Sequence, residues 1–427
     1  MSTLVIAVVL TALVFDFTNG FHDTANAMAT SIATGALRPR VAVVLAGVLN
    51  LVGAFLSVEV ALTISGGLVD EARITPAVIF GGLVGAILWN LVTWLVGLPS
   101  SSSHALFGGL IGATWVFAGS GAINVSTVAG KVLLPLALSP VVAGVVALSA
   151  TWIGYRIATR GDRRTTTRGF QRAQIVSASM IALAHGTNDA QKTMGVITLT
   201  LITVGLLPAH SAPPLWVVLA AGLAIAAGTA TGGWRIIHTL GRRISDIESP
   251  QGFAAETASA AVILSSAHLG FALSTTQVVS GAVLGSAAGR RAGPVRWRVA
   301  GRMAAVWLLT LPAAAVVGAL AAWVSARGTG GTVLVGAVLV VVSAGIYGLS
   351  RRTPVSAATV GAATVGAATV GAATVGAATV GAATVGAATV SELPAQRSPG
   401  HAPGNSAAAE HGGDPQVGQP AAAARAA

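Results

Sequence analysis

The chain has 427 residues, of which 54% are hydrophobic and only 9% are charged. Soluble domains carry about 25% charged residues, so this composition excludes an ordinary soluble globule. The formal net charge of +11 would suit a nucleic-acid partner, but the arginines stand in short loops between apolar stretches, which is typical of membrane orientation. The absence of cysteine excludes disulfides, thiolate metal sites and a cysteine nucleophile.

Apolar stretches of 18 or more residues recur along the chain and predict an all-α, polytopic helical membrane protein. The first stretch begins near Thr3 without a basic region or a good cleavage site, so we interpret it as a retained span and not as a signal peptide. We expect it to break near Asn19-Gly20 and to continue to about Leu37. Further spans are expected from Leu215 and at about 41–64, 76–97, 128–155, 173–207, 252–270, 304–325 and 333–349.

Two apolar pieces, at 105–117 and up to Ala288, are too short to cross a bilayer and suit re-entrant hairpins. Placing every arginine cluster on the cytoplasmic side gives two halves of opposite sense, an inverted repeat with broken helices. The predicted divisions are a first transmembrane repeat (1–158), a basic cytoplasmic loop (159–172), a second repeat with a final span (173–352), and a disordered low-complexity tail (353–427) with six copies of Gly-Ala-Ala-Thr-Val.

A polar motif interrupts the first span of each half, at 19–27 and 184–192. Both copies place glycine before a polar pair, His22-Asp23 or Asn188-Asp189. An ionisable side chain at this depth is costly and by default marks a transport path or a functional site. The alternative is a polar cap on a buried helix start, which two copies in corresponding places make less attractive. Histidine is the residue type whose side chain is suited to proton exchange near neutral pH, although a lone buried histidine is more often a packing residue.

A cluster of hydroxyl side chains stands at the turn of each proposed hairpin, just before the short helix. Hydroxyl donors and the free N–H groups of a helix N-terminus together form an anion site. Two such tips, entering from opposite faces, would meet near the midplane and enclose a tetrahedral oxyanion. The alternative is that these hydroxyls only satisfy a helix start. The tip residues are Ser101, Ser102, Ser103, Ser274, Thr275 and Thr276.

An anion in a low-dielectric region needs cations beside it. Oxygen donors of the two motifs would hold a hard ion such as Na⁺ or accept H⁺. Lys192 lies one helical turn after Asp189, and its ammonium could take the place of a metal cation. Glu256 lies in an apolar stretch and is a candidate proton carrier, whereas Asp16 and Glu59 are weaker candidates because a position near an interface is open to both. The candidates for cation coupling are Asp23, Asn26, Asn188, Asp189, Lys192 and Glu256.

With these motifs and tips the chain resembles the inorganic phosphate transporter (PiT, Pho-4) family. Residues 249–256 also resemble that family's stretch before its second hairpin, and the resemblance covers about 1–350. It implies a helical inverted-repeat fold and symport of inorganic phosphate with a cation, without enzymatic activity or a cofactor. By the same resemblance the six tip residues would line the phosphate, and the coupling cation would be served by Asp23, Asn26, Asn188 and Asp189.

Some positions depart from the Na⁺-coupled branch of that family. It has Asn where this chain has Lys192, Pro and His where this chain has Ala272 and Gln277, and Glu where this chain has Asn50. The chain therefore resembles more closely the bacterial low-affinity branch of the inner (plasma) membrane, which couples to H⁺ and carries phosphate as a neutral complex with a divalent metal. The choice between H⁺ and Na⁺, and the formation of a homodimer in the lipid bilayer, stay open.

Two other functions compete with phosphate transport. Hydroxyl tips cannot distinguish two tetrahedral dianions, so a sulfate permease of the same fold is the nearest alternative. The pair Asp23 and Asp189 also suits an intramembrane aspartyl protease, whose dyad shares one proton. Against the protease, the neighbouring Asn26, Asn188 and Lys192 favour ionised carboxylates, and that reaction would leave both hydroxyl tips unused.

Overall fold

The computed structural model describes residues 2–158, 163–244, 246–290 and 295–361. Within these ranges there is no β-strand, and a single isolated bridge joins Val69 to Ile123. The all-α prediction is therefore confirmed. The helices of the first half are α1 (Thr3–Ala33), α2 (Pro39–Gly53), α3 (Glu59–Gly67), α4 (Pro76–Val96), α5 (Ser102–Ala118), α6 (Val125–Thr127) and α7 (Leu134–Ala158).

The second half continues with a similar order of long and short helices. Five described helical stretches are long and apolar enough to cross a membrane, or six if one bent pair counts as a span. These stretches agree with a polytopic membrane protein; they do not include α8, whose apolar residues are interrupted by the second motif. The helices are α8 (Arg163–Thr203), α9 (Leu215–Thr231), α10 (Trp234–His238), α11 (Ser249–His268), α12 (Thr275–Gly289), α13 (Trp297–Ser325) and α14 (Thr329–Ser350).

The break expected at Asn19-Gly20 is wrong, because α1 runs without interruption through the motif. Gly20 instead allows close packing, since a Cβ at this position would overlap the Ile225 carbonyl of α9. Gly186 of the second motif lies in the same way against Asn50 of α2, and α8 is also unbroken. Small residues let membrane helices approach each other closely. The motif glycines therefore serve contacts between helices and do not open the backbone.

The single span expected at 41–64 is also wrong, because α2 ends at Gly53 and α3 begins at Glu59. The first N–H groups of a helix have no partner within it and need one from elsewhere. Here the side chain of Gln191 in α8 accepts a hydrogen bond from the backbone N–H of Val60 at 2.8 Å. The Gln191 side chain therefore satisfies a backbone N–H group that the interruption between α2 and α3 leaves without a partner in its own helix.

A true interruption lies between α9 and α10, which bend by 58°. At the bend Gly232 has φ of +77°, a left-handed conformation that glycine adopts without strain. A Cβ on the next residue, Gly233, would overlap the Phe21 carbonyl of α1. Irregular backbone from the second half is thereby placed beside the first motif, with Gly233 buried against α1.

Two predicted segments fall partly or wholly outside the described residues. Helix α8 already begins at Arg163, so most of the expected basic loop at 159–172 is helical, and only 159–162 lie outside the description. The repeats of Gly-Ala-Ala-Thr-Val and the remaining tail lie outside it from residue 362 onward. Disorder of the tail therefore stays a prediction.

The two halves pack through matching sets of helices. Helix α5 packs against α4 and α13, and α12 packs against α11 and α7. Similarly α1 packs against α9, and α8 packs against α2. Each half therefore contributes its long helix α7 or α13 to the hairpin of the other half. This agrees with two structurally related halves, whereas their opposite sense in the membrane stays a prediction.

Candidate functional site

The two hydroxyl tips form the N-terminal ends of α5 and α12. The Ser101 hydroxyl accepts a hydrogen bond from the backbone N–H of His104 at 3.1 Å, and the Ser274 hydroxyl accepts one from Gln277 at 3.3 Å. These two residues are therefore helix N-caps, as the alternative interpretation expected. The hydroxyls that follow in each tip do not cap their own helix and instead contact other parts of the protein; they belong to Ser102, Ser103, Thr275 and Thr276.

The tips lie in direct contact with each other. The Ser103 hydroxyl of the first tip donates a hydrogen bond to the Leu273 carbonyl of the second at 2.9 Å. The Asn188 amide donates to the same carbonyl at 3.3 Å, which joins the second motif to this junction. All six predicted tip residues are buried. The structure thus brings both tips and the second motif to one place inside the protein.

Asp23 of the first motif is contacted from both tips. The Ser102 hydroxyl donates to Asp23 Oδ2 at 2.8 Å, and the Thr276 hydroxyl donates to Oδ1 at 3.2 Å. The Asn26 amide donates to the Thr276 hydroxyl at 3.0 Å, and His22 Nδ1 lies 2.6 Å from Asp23 Oδ1. The first carboxylate is therefore held by groups from α1, α5 and α12.

Asp189 of the second motif accepts a hydrogen bond at Oδ1 from Lys192, which is the only buried lysine among the described residues. The Thr275 hydroxyl donates to Asp189 Oδ2 at 3.0 Å, and the Asn188 amide donates to Oδ1 at 2.8 Å. His185 Nε2 lies 2.9 Å from Oδ2, an ion-pair distance without the geometry of a hydrogen bond. The predicted pairing of Lys192 with Asp189 is thus present in the geometry.

The cluster combines two carboxylates, one ammonium and two imidazoles away from water. Buried ions are tolerated only when they are paired and well hydrogen-bonded. Asp23, His185 and Asp189 each offer one ligand atom, and these three atoms lie within 4.8 Å of one another, close enough to surround one cation. The oxygens Asn26 Oδ1 and Asn188 Oδ1 are buried without a partner among the described residues, so each motif keeps an acceptor for a further ligand.

Glu256 lies in a separate buried polar cluster. Its carboxylate accepts hydrogen bonds from the hydroxyls of Thr30 and Ser177, both at 2.6 Å, and from the amide of Gln174 at 3.1 Å. Among the described residues no hydrogen bond or ion pair joins it to the tips. Of the six predicted coupling residues, Glu256 is therefore the one that the structure does not bring into the central cluster.

Two threonines in contact with polar residues of this region, Thr93 and Thr229, were not predicted from the sequence. His22 Nε2 lies 3.2 Å from the Thr93 hydroxyl of α4, and Asn50 donates to the Thr229 hydroxyl at 2.7 Å. Asn50 stood out only as a departure from a family pattern. Of the two weaker acidic candidates, Asp16 is completely buried, whereas Glu59 is exposed. A helical spacing of seven residues between Asp16 and Asp23 was the available signal, since it places both on one face of α1.

Known proteins resemble this chain along most of its length. A model of the phosphate transporter family matches residues 19–318. A Mycobacterium bovis protein named "Probable low-affinity inorganic phosphate transporter" is 54% identical over 360 residues, covering 84% of this chain and 86% of the relative. A Bacillus subtilis protein of the same name is 43% identical over 320 residues, covering 74% and 96%. A solved structure titled "The sodium-dependent phosphate transporter" matches with a TM-score of 0.68 and 25% identity, covering 76% of this chain and 99% of that one.

Proposed function

This chain belongs to the phosphate transporter family, and we propose that it imports inorganic phosphate across a bacterial inner membrane by proton symport. Its family and relatives are transporters and not enzymes, so the protease alternative is not retained. The observation that supports the proposal best is the shared carboxylate of Asp23, which accepts hydrogen bonds from both hydroxyl tips. Phosphate would bind where these hydroxyls meet.

The tip residues would donate to the phosphate oxygens from two sides. Ser102, Thr275 and Thr276 are the hydroxyls that already reach a motif carboxylate, so they lie closest to the coupling groups. The N-terminal ends of α5 and α12, where Ser101, Ser103 and Ser274 lie, would also contribute. The free N–H groups of these helix ends attract an anion. Hydroxyl and backbone donors bind an anion without a fixed arginine, which suits a site that must also release it.

Lys192 is the residue on which we base proton coupling. Its ammonium occupies the position beside Asp189 that a sodium ion would otherwise take. Asn26, Asn188 and the carboxylate of Asp23 would serve the mobile cation of the first motif. Glu256 would bind a proton at a distance from the phosphate, held by the hydrogen bonds of its own cluster.

The cargo would be a neutral complex of phosphate with a divalent metal. The ligand atoms of Asp23, His185 and Asp189 are close enough to contact the metal while the tips contact the phosphate. We expect uptake to fall when EDTA removes divalent ions and to return when excess Mg²⁺ is added. Uptake that is indifferent to EDTA would contradict transport of the complex and leave free phosphate as the cargo.

The test is uptake of radiolabelled phosphate into proteoliposomes under an inward H⁺ gradient, an inward Na⁺ gradient, or neither. We expect the H⁺ gradient to accelerate uptake and the Na⁺ gradient to have no effect. Uptake that demands Na⁺ and ignores the pH gradient would refute proton coupling. Excess unlabelled sulfate should leave uptake unchanged; competition by sulfate would instead favour the sulfate permease.

A further inference from the structure

Asp16 is a buried acid to which the proposed transport site gives no role. It lies on α1, seven residues before Asp23 and so two helical turns away on the same face. Its side chain is 0% exposed. A carboxylate in a membrane-buried helix is costly unless it is paired, protonated or bound to a cation. Its position therefore calls for a partner or a proton.

The surroundings of Asp16 do not supply that partner. Neither of its oxygens makes a hydrogen bond of ordinary geometry to a described residue, although the Thr193 hydroxyl lies beside it. Lys192 and Asp189 lie within range of direct charge–charge interaction with it. Glu256, by contrast, accepts three side-chain hydrogen bonds. Among these buried acids, Asp16 is therefore the one without a hydrogen-bond partner in the described part of the chain, and Lys192 is the cation whose charge reaches it.

Lys192 faces two acids with unequal sets of partners. Its ammonium has three N–H donors, and the described contacts use one of them, on Asp189 Oδ1. Asp189 already has further donors, whereas Asp16 has none. His104 on α5 also lies within electrostatic range of Lys192. The remaining titratable groups of this region are Asp23 and His22 on α1 and His185 on α8.

We propose that Asp16 carries a transported proton and is the second carboxylate partner of Lys192. While Asp189 holds the ammonium, Asp16 stays neutral with a proton on one oxygen. Cargo binds in this state and crosses the membrane together with that proton. When cargo has left on the inner side, Lys192 turns to Asp16; the O–H bond breaks, its electron pair stays on the carboxylate, and the proton passes to water on that side. After the empty carrier has returned, Asp16 regains a proton from water on the outer side and Lys192 returns to Asp189. This inference rests on the proposed symport and adds the residue that selects H⁺ as its coupling ion.

The test compares full-length wild type with Asp16→Asn, which keeps the shape of the side chain, in two proteoliposome assays. The first measures phosphate uptake and internal acidification driven by an inward pH gradient. The second measures exchange of labelled for unlabelled phosphate at equal concentrations and equal pH, which needs no net proton movement. We expect the variant to lose pH-driven uptake by on the order of tenfold or more, as when a positioned proton-transfer group is removed, and to keep wild-type exchange.

The matched control is Glu59→Gln, which removes an exposed acid of α3 and should change neither assay. Asp16→Asn with wild-type pH-driven uptake would overturn the inference. Loss of both uptake and exchange, in a variant that elutes from size exclusion like the wild type, would overturn it too, because Asp16 would then be needed for binding and not for proton movement.

A double-mutant cycle tests whether Asp16 acts through Lys192. Residues that act as one unit give non-additive effects. The double variant Asp16→Asn/Lys192→Asn should therefore lose no more pH-driven uptake than the worse of the two single variants. Additive losses would contradict a shared role. Failure of the proposed function has a different signature, because the wild type itself would then show neither phosphate exchange nor pH-driven uptake.

Discussion

Lys192 is completely buried, and its ammonium rests on the carboxylate of Asp189. Removing one partner of such a pair leaves an uncompensated charge, which typically costs about 3–5 kcal/mol. We expect Lys192→Asn to recover neutrality by binding a sodium ion beside Asp189. Phosphate uptake by this variant should therefore become dependent on Na⁺ and lose most of its response to a pH gradient.

The control for this prediction is Lys131→Asn, because Lys131 is the other lysine of the chain and is exposed. It should leave both ion dependences as they are in the wild type. Both variants are measured by phosphate uptake in proteoliposomes with each gradient in turn. A Lys192→Asn protein that still follows the pH gradient and ignores Na⁺ would disprove the substitution of a fixed cation for a mobile one.

Ser102 provides a second prediction for a single residue. A hydrogen bond contributes a net of about 0.5–1.5 kcal/mol once the bond it replaces is counted, so a hydroxyl that moves from Asp23 to phosphate should lower KM by about two- to tenfold. Ser102→Ala should therefore raise the KM for phosphate to that extent. Ser149→Ala is the control, because the exposed Ser149 donates only to the Val145 carbonyl of its own helix. Equal KM values for the two variants would exclude Ser102 from the phosphate site.

The sequence was sufficient to find the central acids and hydroxyls, for a physical reason. Polar groups are rare in a chain that is 54% hydrophobic, so the motifs and tips stand out against their surroundings. The contact of Asn50 with Thr229 was missed because it joins residues 179 positions apart.

At the scale of helices, the wrong prediction of a helix break came from the glycines of the two motifs. The motif glycines suggested a helix break, but their lack of a side chain is used for packing. Gly20→Ala would force apart α1 and α9, because the new methyl group would overlap the Ile225 carbonyl. Overpacking typically costs about 1–3 kcal/mol. We therefore expect a clearly lower melting temperature in detergent, measured by size exclusion after heating.

Gly301→Ala is the matched control, because Gly301 is an exposed helical residue of α13 with no neighbouring atom where a Cβ would lie. It should be neutral or slightly stabilising, since alanine is the better helix former. A Gly20→Ala protein as stable as Gly301→Ala would mean that α1 and α9 are not tightly packed.

Helix positions were otherwise predictable where a long apolar stretch was bounded by polar turns. The span at 76–97 corresponds to α4, and the span at 333–349 to α14. The division of 41–64 into α2 and α3 was not predictable from local sequence. It depends on Gln191, which accepts from the first N–H groups of α3 from a position 131 residues away.

At the scale of the whole molecule, the exchange of long helices makes each half depend on the other. Helix α7 packs on the second hairpin, and α13 packs on the first. We expect two separately encoded fragments, 1–160 and 161–427, to associate when they are expressed together. An affinity tag on the first fragment should recover the second fragment from detergent extracts. Cells that express both fragments should take up phosphate.

Each fragment expressed alone should be degraded or aggregate, because its hairpin would lack one wall. As a control, two fragments divided within α5 should not be recovered together, since this division interrupts a helix that forms the site. Two fragments that are each stable alone and do not associate would show that the halves fold independently, contrary to the packing of α7 and α13.

The hydroxyls of both tips already donate to Asp23 and Asp189, which has a thermodynamic consequence for the cargo. An arriving oxyanion replaces existing contacts, so its net gain is a difference between two sets of bonds of similar strength. We expect such an exchange reaction to hold its ligand loosely, so that dissociation of the ligand needs little extra driving force. Weak binding of phosphate is therefore the outcome that we expect of a site whose hydroxyls already have acceptors.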